Sequence, residues 1–114
     1  MKKIIVLTGN PLSTQSLYGQ SGRIRFMKTN ARERKEHYQF EAREQWREKP
    51  LEGNVKLDIW LYFGDRRKRD YDNFGKLMND ALTNIVWHDD SQVNDARIRL
   101  SYDKKNPRIE ITIL

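Results

Sequence analysis

The sequence predicts an α+β domain: one small mixed β-sheet of about five strands with two main helices packed on it, in the order β-β-α-β-α-β-β. Three observations lead there. Residues 54–63 (NVKLDIWLYF) alternate apolar and polar along their length, the period of a strand with one buried face. Residues 73–86 put Phe74, Leu77, Met78, Ala81, Leu82 and Ile85 at i, i+3, i+4, i+7, i+8 and i+11, the stripe of a helix lying on a core. Strand and helix patterns are interleaved within 114 residues, the length of one ordinary domain, so residues 1–114 are read as a single unit.

In chain order, residues 3–8 (KIIVLT) read as a short buried strand. Residues 9–22 (GNPLSTQSLYGQSG) are rich in Gly, Ser and polar side chains and read as a loop. A connection that long in a compact domain is often functional. Residues 23–28 (RIRFMK) read as a short strand pairing back. A helix is expected from Asn30 to about Arg47, ending before Pro50, with Asn30 and Glu33 forming a capping box. Its apolar stripe is thin: Ala31, Tyr38, Ala42 and Trp46. After the strand at 54–63 and the helix at 73–86, residues 96–102 and 108–113 each alternate. The DKKNP between them is turn chemistry, so the two are expected to form a hairpin.

Lys and Arg number 22 against 16 Asp and Glu, a net charge of +6, which makes polyanions the first candidate partners. Without cysteine, neither a disulfide framework nor a thiolate metal site is available. The apolar run Ile4–Leu7 is too short for a signal segment, and no stretch approaches the roughly 20 residues of a membrane span. The expectation is a soluble protein of the cytoplasm, with no membrane partner.

Against this basic background, residues 64–76 read GDRRKRDYDNFGK. Asp70 and Asp72 lie one residue apart, and extended geometry sends both to one side. Two such charges about 4 Å apart at a surface would repel by about 4 kcal/mol. Asp72 also suits a helix N-cap, and Lys76 an ion pair with Asp72 one turn on. Asp89 and Asp90 in WHDDSQ form a second acidic cluster, or an ordinary turn. Carboxylates from two segments with a lysine between them suit a hard divalent cation bound by oxygen, and Mg²⁺ contacts substrate phosphates as well. The basic run Arg66, Arg67, Lys68 and Arg69 would hold neighbouring phosphates. An acidic pocket in a basic rim is the layout of a metal-dependent nuclease. Arg23, Arg25 and the loop 9–22 are further candidates for DNA contact. Phe74 belongs to the core stripe, Tyr71 points away from the Asp pair, His37 lies on a solvated helix, and His88 adjoins the second pair. Trp60 and Tyr62 face away from the core, toward a covering helix or a partner.

The stretch DRRKRDYDNFGKLMNDAL followed by VWHDDSQV resembles the signature of the RusA-type Holliday-junction resolvases: a basic run, D-x-D-N-x-x-K, D-A-L on the same helix, then D-D-x-x-V. The match covers about residues 58–95, and GNPLSTQSLY is similar to the opening loop of that family. The resemblance implies a homodimeric, Mg²⁺-dependent endodeoxyribonuclease, with Mn²⁺ as an alternative ion, that resolves four-way DNA junctions by paired symmetric nicks. It implies roles in recombination and repair, in a bacterial cell or a phage-infected host. Carried over, the metal-binding and catalytic carboxylates are Asp70, Asp72 and Asp90, and the essential lysine is Lys76. The choice of Asp90 over Asp89 rests on alignment of the D-D element. Two other readings compete: a less selective nuclease for flaps and branches, and a DNA-binding module without catalysis.

Overall fold

The computed structural model describes residues 3–114. Its elements are β1 (Lys3–Thr8), β2 (Tyr18–Ser21), β3 (Ile24–Met27), α1 (Thr29–Gln45), β4 (Val55–Phe63), α2 (Lys76–Leu82), β5 (Val93–Tyr102) and β6 (Arg108–Ile113). Single 3-10 turns occupy Thr14–Ser16, Tyr71–Asn73 and Asp90–Gln92. The mixed α+β architecture is as expected. Four strands form one sheet in the order β1-β6-β4-β5, and β2 and β3 pair as a separate ribbon.

β4 is the axis of the sheet. Val55, Leu57, Ile59, Leu61 and Phe63 are buried, and the residues between them are not. Ile109, Ile111 and Ile113 of β6 and Ile5 and Leu7 of β1 continue the apolar face. Both helices complete the core. α1 contributes Ala31, Tyr38 and Ala42, with Trp46 just beyond it, the stripe read from the sequence. α2 contributes Leu77, Met78, Ala81 and Leu82. α1 also caps the open edge of β1. Gln45 accepts from the Val6 N–H at 2.7 Å and donates to the Val6 carbonyl at 2.8 Å, while Glu41 accepts from the Thr8 N–H at 3.0 Å. Such side-chain pairing blunts an edge that would otherwise invite another strand.

Four local expectations are corrected. β5 and β6 are not a hairpin: β5 pairs parallel with β4, and β6 takes the other side of β4. The chain does reverse at DKKNP, but it steps over β4. Its Asp103 N–H donates to the Phe63 carbonyl at 2.8 Å as it crosses. Two inter-strand spacings are only about 10 Å, well within five residues' reach. The loop 9–22 contains β2, which pairs with β3 through the Gly22–Arg23 turn, where Gly22 takes φ +60°. The Asn30–Glu33 capping box does not form. α1 starts at Thr29, and the Asn30 side chain accepts only from the Ala31 N–H. α2 is shorter than its stripe, ending at Leu82, and Ile85, Val86 and Trp87 are buried from the turn that follows.

On the polar face of β4, Trp60 and Tyr62 stack at 6.0 Å and are flanked by guanidinium groups, Arg99 over Trp60 and Arg108 over Tyr62. Among the described residues, no helix is long and apolar enough to cross a membrane.

Trp87 is fully buried, and its indole N–H donates to the Thr83 hydroxyl at 3.2 Å. Trp87→Ala is expected to lower stability by about 3–5 kcal/mol. In urea unfolding this would appear as a lower midpoint with an unchanged slope.

Candidate active site

The basic run leaves β4 through Gly64 and is tied into a knot by one carboxylate. Asp65 accepts from the Arg67 N–H at 3.1 Å and from its guanidinium at 3.2 and 3.3 Å, and it pairs with Arg69 at 2.8 Å. These bonds hold the Asp65 carboxyl well below the usual carboxylate range. Arg69 is turned inward: its side chain is 11% exposed and its guanidinium lies 4.1 Å from the centre of the Phe63 ring. Arg69, expected as a phosphate ligand, pairs with Asp65, as Arg67 does, and lies against Phe63. Arg66, Arg67 and Lys68 remain exposed, with Arg66 stacked on Tyr102 at 4.2 Å.

Asp70 is extended, but Tyr71–Asn73 closes a 3-10 turn, with the Asn73 N–H bonded to the Asp70 carbonyl at 3.2 Å. The alternation that would align Asp70 with Asp72 therefore stops at Tyr71. Asp72 does not cap α2, where Gly75 holds the N-cap position without a side-chain bond. Lys76 pairs with Asp80 at 3.1 Å rather than with Asp72, and that carboxylate raises its pKa. The charge of Asp90 also reaches Lys76.

The second acidic cluster divides into two roles. Asp89 forms a capping box with Gln92 and accepts from the Ser91 hydroxyl at 2.9 Å, which lowers its pKa. Gln92 accepts from the His88 and Asp89 N–H groups and donates to the carbonyls of Leu51 at 2.8 Å and Gly53 at 2.9 Å. Asp89 is thereby committed to backbone structure, while Asp90 stays exposed. His88 turns to Glu52 at 2.9 Å, and His37 to Thr8 and Glu41.

The loop 10–16 faces this region across a cleft of about 830 Å³, walled on the other side by Arg67, Lys68, Arg69, Asp70, Asn73 and Phe74. The wall is fastened at several points. The Asn10 side chain accepts from the Gly64 N–H at 3.0 Å, Arg34 donates to the Asn10 carbonyl, and the Thr14 hydroxyl donates to the Asn73 carbonyl at 3.0 Å. Gly9 takes φ +104° with the Arg34 guanidinium 3.1 Å from where a Cβ would stand, so a side chain there would be strained and would crowd Arg34. The cleft takes in Asp70 but not Asp72, Lys76 or Asp90. Among the described residues, no three Asp, Glu or His side chains stand close enough to share a metal ion. By chemistry, however, the donors fit a hard cation. Asp65 and Asp80 are held in ion pairs and Asp89 by its cap, whereas among the described residues no ion pair holds Asp70, Asp72 or Asp90, although the Asp90 side chain meets that of Asp89.

Asp65, Gln92 and Asn10 were not singled out from the sequence. The capping signature D-x-x-Q at Asp89–Gln92 was available there as a signal for one of them.

Two measurements check this division. Asp89→Ala should lower the thermal midpoint, because the cap is lost, while Asp90→Asn should leave it unchanged or raise it. For Asp65, the folded state favours the ionised carboxyl. Its stabilisation is complete above the ordinary carboxylate pKa of about 4 and is lost as pH falls through the depressed folded value. The thermal-midpoint difference between the wild type and Asp65→Asn should therefore be largest near neutrality and shrink toward about pH 2.

Residues 9–114 match the protein family described as Endodeoxyribonuclease RusA. Over 60 residues the chain is 45% identical to the crossover junction endodeoxyribonuclease RusA of Escherichia coli strain K12 and to that of Enterobacteria phage 82, covering 52% of this chain and 50% of each relative. It is 41% identical over 46 residues to the uncharacterized protein YqaN of Bacillus subtilis strain 168, covering 40% of this chain and 32% of that protein. The chain thus spans about half the length of the curated RusA relatives it matches. With the family match running from the cleft-walling loop through β6, the chain belongs to the RusA endodeoxyribonuclease family.

Proposed function

We propose that the chain is a divalent-metal-dependent endodeoxyribonuclease that resolves four-way DNA junctions. It acts as a homodimer in the cytoplasm of a bacterial or phage-infected cell and makes paired symmetric nicks near the branch point. One observation carries this reading: among the described residues no ion pair holds Asp70, Asp72 or Asp90, while Asp65 and Asp80 are paired, and Asp70 lines the cleft with Arg67 and Lys68. A carboxylate left unpaired in a chain of net charge +6 is available to a ligand. The relatives named for crossover junctions supply the substrate class.

Asp70, Asp72 and Asp90 would hold Mg²⁺ or Mn²⁺. When bound, the ion supplies Lewis acidity at a phosphate oxygen and acidifies water. The remaining work falls to side chains. Arg66, Arg67 and Lys68 bind the flanking phosphates and set the register of the strand. Lys76, kept protonated by Asp80, offers positive charge where negative charge builds on the scissile phosphate. A two-fold dimer would bring one site to each of two symmetry-related strands, as paired nicks require.

The test is a strand-labelled four-way junction incubated with Mg²⁺ or with EDTA, beside a flap and a linear duplex. Symmetric nicks that need Mg²⁺ and vanish in Asp70→Asn, with junction binding retained, are expected. Equal cutting of the flap would reassign the chain to a less selective branched-DNA nuclease. Binding without cleavage in either metal would leave a DNA-binding module. Separately, Arg66→Ala and Arg67→Ala should each flatten the log–log salt dependence of junction binding, by about one unit per lost phosphate contact. An unchanged slope would remove the basic run from the DNA path.

A further inference from the structure

Beside the main cleft lies a second hollow, of about 330 Å³, lined by Thr14, Tyr18, Gly19, Gln20 and Arg25. It sits on the β2–β3 ribbon, in which Tyr18 is opposite Met27 and Gln20 opposite Arg25, so all four share one face. Across that face, the Arg25 guanidinium lies 4.1 Å from the centre of the Tyr18 ring. A guanidinium stacked on an aromatic ring is pre-organised while its N–H edge stays free for an anion. On the opposite face the Phe26 ring, itself exposed, lies over Gly19, 2.7 Å from where a Cβ would stand.

Two further features bear on what the hollow takes. Residues 9–32 contain no Asp or Glu, but they do contain Arg23, Arg25, Lys28 and Arg32, so the field over the ribbon has one sign. The ribbon is also anchored to the acidic segment. Leu17 is fully buried, its carbonyl accepts the Lys28 N–H at 2.8 Å, and the Thr14 hydroxyl bonds Asn73, the residue after Asp72.

We infer that this hollow is a nucleotide subsite: it takes the nucleotide beside the cleaved bond, with Arg25 on the phosphate and the Tyr18–Arg25 plane under an unstacked base. The inference rests on the nuclease reading above. A volume of about 330 Å³ is on the scale of one nucleotide. A base that fills it leaves its stack, which costs least where stacking is already interrupted. The Thr14 hydroxyl donates to Asn73 and the Gln20 amide to the Gly22 carbonyl at 3.0 Å, so each keeps its oxygen lone pairs for donors on the base edge. The hollow thus favours a branch point over continuous duplex by shape, with few base-specific contacts.

The experiment uses four-way junctions carrying 5-iodouracil at the nucleotide on either side of the nick, irradiated with the full chain in EDTA. Crosslinking to Tyr18 is expected, as is its loss in Tyr18→Ala and its retention in Tyr18→Phe. Arg25→Ala should weaken junction binding by about tenfold, and it should weaken linear-duplex binding less. Arg25 and Gln20 are exposed, so their variants remain informative if Tyr18→Ala fails to fold. Junction cleavage by a wild type that gives no crosslink on the ribbon, with Arg25→Ala and Gln20→Ala binding normally, overturns the subsite alone. Crosslinking at Tyr18 without cleavage in Mg²⁺ or Mn²⁺ keeps the subsite and removes the nuclease reading. Absence of binding to any DNA overturns both.

Discussion

A strand inside a sheet has two neighbours, and one neighbour of β4 is the parallel strand β5. Parallel pairing cannot be made by a tight turn. The chain must leave one end of β4 and return to the start of β5, which takes a dozen residues or more. Here that crossover is residues 64–92, and it carries the basic run, Asp70, Asp72, Lys76 and Asp90 on one connection. The candidate side chains thus share a segment because of one pairing. Had β5 formed a hairpin with β4, no segment long enough to carry them would exist at that place.

Within the crossover, charge is sorted rather than simply accumulated. Asp65 draws Arg69 inward and leaves Arg66 and Lys68 outward. Asp80 holds Lys76 on α2, and Asp89 is taken up by the backbone through Gln92. Each such pair removes one carboxylate from the available set. What remains is three exposed carboxylates that no ion pair holds among the described residues, in a chain of net charge +6.

Much of this was legible in the sequence. The two-residue period of β4 and the apolar stripe of α2 reflect burial, and burial is what composition patterns record. The thin stripe of α1 was read correctly for the same reason. Strand adjacency was not legible, because DKKNP specifies a reversal of direction and not the neighbour reached after it. The Asp70–Asp72 geometry was missed because the 3-10 turn at Tyr71 is held by the Asn73–Asp70 backbone bond and, from 59 residues away, by Thr14. Asn10 was not legible because its partners, Gly64 and Arg34, are distant in sequence, whereas Gln92 carried a legible signal in the D-x-x-Q cap. The resemblance singled out the acidic residues, and the structure separates those with structural partners from those without.

The order of the sheet has a consequence for the chain as it is made. β1, the first of these strands to be translated, pairs with β6, the last. Until β6 arrives, the apolar side chains of Ile5 and Leu7 lack their cross-strand partners, and α1 has only half an edge to cap. The sheet therefore closes late, after the residues of the crossover are already outside the ribosome. Because β1 and β6 stand at opposite ends of the described sequence, their pairing is expected to form slowly relative to the local β2–β3 ribbon.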